Sequence, residues 1–447
     1  MSMRRKLFGT DGVRGIANEE PITSETALKL GRALAYVFRG SHGRHRKILI
    51  GKDTRLSGYM LETAIASGIC SMGVDVWLVG PLPTPGIAFL TRSMRADAGV
   101  VISASHNPFE DNGIKFFAGD GYKLSDENEL AIERELEEAA STSTAAPAIG
   151  RIRELRGAGE DYLRELHSHF AELDLSGLDV LLDCANGATH HVAPEIFRRL
   201  GAKVTVIADQ PDGRNINDGC GSTHVEQLGV RVREGGHGVG FAFDGDGDRV
   251  LAVDRMGTVV DGDELMALAA LHLRERDRLN GGGVVVTVMT NYGFHSAMER
   301  AGVEVAITQV GDRYVLEELR ERGWVLGGEQ SGHIIDLSFN RTGDGIAGAL
   351  LTLEALAGRD LAERDAMQKL PQRLVNIRVR ERGALESATE VNEAVSAAGK
   401  ALEGRGRVLV RPSGTEPLVR VMVEAPTEDE TDEVCGRLAA LVELELG

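Results

Sequence analysis

Short β-branched strands alternate with amphipathic helical stretches along most of the chain, and this alternation is the feature that most restricts its fold. Strand patterns at 47–50, 74–79 and 99–103 are interleaved with helix patterns at 24–39 and 57–72, the signature of α/β layers. At 447 residues, 42% of them hydrophobic, the chain exceeds what one core serves, and about three to four domains are expected. A small-residue stretch at 139–147, following a charged helix at 125–138, reads as a linker and closes a first domain, 1–150. Strands at 179–183, 203–207 and 239–243, with helices at 191–200 and 225–234, make a second α/β domain, 151–253. A third, 254–370, runs through strands at 250–254, 284–288, 304–308 and 325–328 and ends on a helix at 344–356. After Leu370-Pro371 the order changes to strand 374–380, helix 385–402, strands 408–411 and 419–424, and helix 429–446, a small α+β domain over 371–447. The three α/β units are similar in size and order, though no strict sequence period relates them.

Charge narrows the partners. Fifty Lys+Arg against 68 Asp+Glu leave a net charge of -18, which argues against nucleic acid or an anionic membrane, so an anionic substrate must meet a local basic pocket. Cys70, Cys184, Cys220 and Cys435 form no CxxC pair and no disulfide framework, as expected in a reducing cytosol. The basic start of the chain is followed by no apolar segment, and no run approaches a membrane span. A soluble, cytoplasmic protein, monomer or homodimer, is expected.

The chemistry concentrates in a few loops. Ser105 lies in Val100-Val-Ile-Ser-Ala-Ser-His-Asn-Pro108, just after an apolar strand, and is expected at a sheet edge where a phosphate can reach it. Asp244-Gly-Asp246-Gly-Asp248-Arg249 alternates carboxylates with glycines, which lets a tight turn aim three hard oxygens at one Mg²⁺. A solvated acidic turn is the plain alternative, but the apolar strand before it would hold the loop rigid. An EF-hand is excluded, because its sixth and twelfth positions carry Arg249 and Arg255. Three carboxylates, a divalent cation and a phosphoserine of about two charges leave roughly three negative charges to offset. Lys115, Arg249 and Arg14 are the candidates to offset them.

Two further loops read as substrate grips. Arg411-Pro-Ser413-Gly414-Thr415-Glu-Pro-Leu-Val-Arg420 combines hydroxyls, a glycine amide and two guanidiniums, a phosphate cradle. In Gly327-Gly-Glu329-Gln-Ser331-Gly-His333, a carboxylate and a hydroxyl suit neighbouring sugar hydroxyls, and His333 can shuttle a proton. Asp53 and Arg55 read as no more than a helix entrance, with Ser57 as its cap.

Taken together, these motifs resemble the α-D-phosphohexomutase superfamily, and within it the bacterial phosphoglucosamine mutases. The likeness spans the whole chain: Phe8-Gly-Thr-Asp-Gly-Val-Arg14-Gly15, the Ser105 loop, the Asp244 loop, Val310-Gly-Asp-Arg-Tyr-Val315, the Glu329 loop and the Arg411 loop follow in family order. The resemblance implies four domains around a central cleft, three α/β and a C-terminal α+β domain of TATA-box-binding-protein-like topology. It implies that Ser105, not Ser103, carries the phosphate. One Mg²⁺ per subunit would be held by Asp244, Asp246 and Asp248 with that phosphate. Lys115, Arg14 and His333 fall where the family places acid/base or phosphate-stabilising groups, Glu329 and Ser331 where it grips sugar hydroxyls, and Gln330 resembles the glucosamine branch. The activity implied is interconversion of glucosamine 6-phosphate and glucosamine 1-phosphate through a bisphosphorylated sugar, feeding UDP-N-acetylglucosamine and cell-wall precursors. Phosphomannomutase or phosphoglucomutase activity is the neighbouring alternative. A haloacid-dehalogenase-like phosphatase would instead use Asp244 as nucleophile, and a non-catalytic sugar-phosphate binder of the same fold is the remaining rival.

Overall fold

The structure is a computed structural model and describes residues 7–9, 11–38, 46–138, 149–381, 384–412 and 417–447. It divides into two compact units, Met1–Val288 with Ala306–Arg364, and Met289–Val305 with Asp365–Gly447.

In the first unit a six-stranded sheet runs in the order Val13–Ile16, Asp111–Ala118, Ala98–Ile102, Lys47–Lys52, Asp75–Pro81, Ile152–Glu154. Strands from Ala98–Ile102 to Ile152–Glu154 pair in parallel, while Asp111–Ala118 runs antiparallel to both of its neighbours. Every residue of Ala98–Ile102 is buried, as expected of a strand covered on both faces. Helices Ser24–Val37 and Ser57–Ser71 cross on one side so closely that a Cβ at Gly31 would lie 2.3 Å from the Ile65 carbonyl oxygen, and one at Gly68 2.2 Å from that of Leu28. Glycine there is a condition of the packing. Leu34, Ile48, Ile65, Val76 and Val100 belong to the core beneath them.

A five-stranded sheet follows in the order Val259–Val260, Val250–Asp254, Val239–Phe243, Asp179–Asp183, Lys203–Ile207. Here the sequence expectation is corrected: Val250–Asp254 does not open the third α/β unit but returns antiparallel to Val239–Phe243. The Asp244–Asp248 loop is therefore the turn of a hairpin whose incoming strand is wholly buried. A four-stranded sheet has the order Glu304–Thr308, Gly283–Thr287, Leu326–Gly328, Ile334–Asp336, and its last two strands form an antiparallel hairpin around the Glu329 loop.

The second unit carries the antiparallel sheet Gln372–Arg378, Leu418–Glu424, Arg407–Pro412, with helices Thr389–Ala401 and Glu428–Leu446. Val391, Val421, Val423, Cys435, Leu438 and Val442 form its core. Thr427 starts the last helix by accepting the Glu430 N–H on its side chain, the usual device for an orphan N-terminal amide. Among the described residues no helix is long and apolar enough to cross a membrane.

Candidate active site

Ser105 follows strand Ala98–Ile102. That strand is interior to its sheet, so the hydroxyl stands beyond the carboxyl end of a central strand rather than at the expected sheet edge. This is the usual ligand position of open α/β sheets. The residue is buried and holds φ +53, a left-handed conformation that costs a β-substituted residue energy and tends to cluster at functional sites. Its N–H donates to Ser103 Oγ at 2.9 Å, and its Oγ donates to Asp244 Oδ2 at 2.5 Å.

Asp244, Asp246 and Asp248 are all buried, and each offers a carboxylate oxygen within 4.8 Å of the others. Their remaining oxygens divide into two sets. Asp246 Oδ2 is engaged by Thr84 Oγ1 at 2.7 Å and Lys115 Nζ at 2.9 Å, and Asp248 Oδ2 faces Lys115 Nζ at 3.5 Å and His333 Nδ1 at 3.7 Å. Oδ1 of Asp246 and Oδ1 of Asp248 are buried with no hydrogen-bond partner. Buried carboxylate oxygens without a hydrogen-bond partner, in a cluster of three carboxylates whose other oxygens are held by fixed donors, suit a hard divalent cation. Asp244 differs from its neighbours in charge: burial, then Asp248 and Asp246, push its carboxyl well above the usual range. Asp248 goes the other way; burial opposes its charge, but Lys115 and His333 hold it well below that range. Gly245 lets the loop seat against the nucleophile, since a Cβ there would lie 2.6 Å from the Ser105 carbonyl oxygen.

Lys115 lies within strand Asp111–Ala118 and is almost wholly buried. Besides Asp246 and Asp248 it pairs with Asp11 at 3.0 Å. Burial works against its charge, but Asp11, Asp246 and Asp248 raise its pKa well above the ordinary lysine value. Asp11 also binds Arg14 and Lys123, and Lys123 reaches on to Asp312. Asp312 Oδ2 stands 3.5 Å from His333 Nε2, which accepts the Gly343 N–H at 3.2 Å. Burial lowers the pKa of this imidazole, but Asp248 and Asp312 bring it out above its ordinary value. Arg249 donates its backbone N–H to Asp244 Oδ1 at 3.2 Å, and its guanidinium, opposed by burial, is kept charged by Asp248 and Asp244. Glu329 Oε1 accepts the Gly311 N–H at 2.7 Å, and Ser331 Oγ donates to Glu329 Oε2 at 3.4 Å. Gln330 turns away to Asp261, 3.1 Å, and orders the loop rather than facing the site. Asp11, Arg14, Asp248, Arg249, Glu329 and His333 are among the residues lining a cleft of about 410 Å³.

The first unit thus brings together Ser105, Asp244, Asp246, Asp248, Lys115, Arg14, Arg249, His333, Glu329 and Ser331. In the second unit, Arg411 and Arg420 are directly opposite on paired strands. Partial burial, then Arg420, lowers the Arg411 pKa. Ser413, Gly414 and Thr415 lie outside the described residues.

Several residues of the site escaped the sequence reading. Asp11, Lys123, Asp312 and Thr84 carry no local signal of pairing, although Asp11 and Asp312 sit inside motifs quoted above. Arg55 does stand at the entrance of the helix Ser57–Ser71, but Ser57 does not cap it. Leu56 occupies the cap position and no side chain caps the helix, because the Ser57 hydroxyl instead accepts Asn112 Nδ2 at 2.8 Å. Arg55 is wholly buried, paired with Asp53, and donates to the Ser105 and Asn107 carbonyl oxygens, 3.1 and 2.6 Å. Asn217 donates to the same two oxygens, 2.9 and 2.8 Å.

Known proteins identify the family. Profiles of the phosphoglucomutase/phosphomannomutase family match along the chain: alpha/beta/alpha domain I over residues 5–143, domain II over 160–257, domain III over 261–374 and the C-terminal domain over 374–441. A curated phosphoglucosamine mutase of Syntrophotalea carbinolica is 51% identical, covering 100% of this chain and 99% of its own length. One of Moorella thermoacetica is 53% identical over 97% of this chain and 98% of its own. The crystal structure of a phosphoglucomutase/phosphomannomutase family protein from Burkholderia thailandensis superposes with a TM-score of 0.81 at 23% identity, covering 98% of this chain and 97% of that one. The phosphatase and binding-protein readings fall away, and the chain belongs to the phosphoglucomutase/phosphomannomutase family, in its phosphoglucosamine mutase branch.

Proposed function

We propose that the chain interconverts glucosamine 6-phosphate and glucosamine 1-phosphate through a phosphoserine on Ser105. The observation that carries this is the Ser105 hydroxyl, held in a left-handed turn and hydrogen-bonded to Asp244 beside buried carboxylate oxygens of Asp246 and Asp248 that lack a hydrogen-bond partner. In the forward half-reaction the phosphorus–Oγ bond of phosphoserine breaks, and a phosphorus–oxygen bond forms to the free sugar hydroxyl. The proton leaving that hydroxyl passes to a base on the cleft wall, and Oγ is left to be protonated. The bisphosphorylated sugar turns round, and the steps run in reverse with the other phosphate.

Asp244, Asp246 and Asp248 would hold one Mg²⁺, which supplies neutralisation of charge on the phosphate and on the departing Oγ. Lys115, kept cationic by its three carboxylates, lies against the oxygens of the passing phosphoryl group, and Arg14 and Arg249 add positive charge at the cleft. Catalysis of this kind is mainly positioning and electrostatic stabilisation. His333 stands between Asp248 and Asp312 and can take a proton and return it. Glu329 and Ser331 meet sugar hydroxyls, and Arg411 and Arg420, with Ser413, Gly414 and Thr415, take the phosphate that is not reacting. Buried thiols at Cys70, Cys184 and Cys435 suit a cytosolic enzyme.

Turnover of glucosamine, glucose and mannose phosphates by phosphorylated enzyme with Mg²⁺ tests the reading. Glucosamine phosphates are expected to give the highest kcat/KM, and Ser105→Ala to lose turnover while still binding the sugar phosphate. A preference for mannose or glucose phosphates would move the chain to a neighbouring branch.

A further inference from the structure

We infer that Arg55 and Asn217 are positioning residues that clamp the nucleophile's backbone from two sides; this rests on the reading of Ser105 as the phosphate carrier. The Ser105 and Asn107 carbonyl oxygens converge on one side of the turn. Arg55 Nη2 donates to both, 3.1 and 2.6 Å, and Asn217 Nδ2 donates to both, 2.9 and 2.8 Å. Each carbonyl has two lone pairs, and each receives two donors.

The two donors come from different layers. Arg55 follows strand Lys47–Lys52 of the six-stranded sheet, while Asn217 hangs from the five-stranded layer, its own N–H donating to the Ala185 carbonyl oxygen at 2.9 Å. Both are themselves held. Arg55 has 0% exposure and binds Asp53 and Ser103 Oγ, the latter at 3.4 Å. Asn217 sits at φ +57, a conformation asparagine tolerates better than most residues. A left-handed serine persists only where its surroundings over-determine it, and these four hydrogen bonds, with the Ser103 hydroxyl on the Ser105 N–H, supply that determination.

The arrangement fixes where Oγ stands relative to Asp244. Arg55 and Asn217 are buried and reach the turn through its backbone oxygens, so their loss should affect the chemical step and leave ground-state binding of the sugar alone. A nucleophile displaced by about an ångström loses about a hundredfold in rate.

Asn217→Gly is the main test, because glycine keeps the left-handed backbone while removing both donors. Arg55→Lys disturbs a buried ion pair and serves as a second variant: it keeps the charge opposite Asp53, but one ammonium cannot fork across two carbonyls as the guanidinium does. Full-length protein is measured two ways: amide hydrogen exchange in segment 103–108 without substrate, and steady-state kinetics with glucosamine 6-phosphate. In Asn217→Gly the segment should exchange about tenfold faster while core strands keep their protection. Its kcat should fall about a hundredfold with KM unchanged, and Arg55→Lys should move in the same direction. Unchanged exchange, unchanged kcat, or a rise in KM with kcat preserved overturns the inference. Wild-type protein inactive on every hexosamine phosphate, with faster loop exchange in the variant, supports the clamp and overturns only the substrate assignment.

Discussion

Lys115 shows how a single side chain can serve both stability and chemistry. It is buried among Asp11, Asp246 and Asp248, and removing one partner of a buried ionic cluster leaves uncompensated charge. Lys115→Met is therefore expected to lower the unfolding free energy by about 3–5 kcal/mol in chelator. The loss should shrink with saturating Mg²⁺, because a divalent cation at the Asp oxygens takes over the neutralisation; urea titrations in the two conditions check this. Lys115 also marks the limit of what could be read from residues alone. Asp111-Asn-Gly-Ile-Lys115 has the letters of a turn, yet it forms a buried strand, since strand pairing outweighs local preference. Ser105 and the three aspartates were legible because nucleophile and ligand residues cluster in short loops. Arg55, Asn217, Thr84 and Lys123 were not, because their meaning lies in partners far away in sequence, and Arg55 read locally was only a helix start.

At the scale of elements, the hairpin that carries Asp244–Asp248 sets the metal-binding oxygens. Its return strand, Val250–Asp254, reads from sequence as the start of the third α/β unit, because an apolar run reveals its length but not its partner. The repeated α/β order was readable, since strand and helix periods differ along the chain. Gly245→Ala tests the hairpin's seating. The added methyl meets the Ser105 carbonyl oxygen, and an overpacked site of this kind is expected to cost about 1–3 kcal/mol, with turnover reduced further because the displaced atom belongs to the nucleophile's turn. A thermal midpoint and activity both equal to wild type would contradict the geometry. In the second unit, Thr427→Ala removes the side-chain cap of Glu428–Leu446 and should cost about 1 kcal/mol, read as a lower midpoint in denaturant.

For the whole molecule, two histidines shape the response to acid. Burial, with Arg249 and Arg14, lowers the His106 pKa to about 4, and burial, with Arg407, lowers that of His295 to about 4. Unfolded imidazoles titrate near ~6.5, so between those values the unfolded chain binds more protons than the native one. The contribution of these two residues to stability should therefore fall as pH drops from about 6.5 to about 4 and flatten below that window. Denaturant midpoints across the range check the slope, and His106→Gln with His295→Gln should reduce it. A phosphate on Ser105 places negative charge beside His106, whose Nδ1 is 3.4 Å from Oγ, so the phosphorylated protein should show a shallower fall.

The central claim is covalent. Phosphopeptide mapping of full-length protein quenched during turnover should find one added phosphoryl group, on the peptide containing Ser105 and stable in acid. Turning-over protein whose Ser105 peptide never carries that mass, or an acid-labile phosphoryl group on Asp244 instead, would contradict the account.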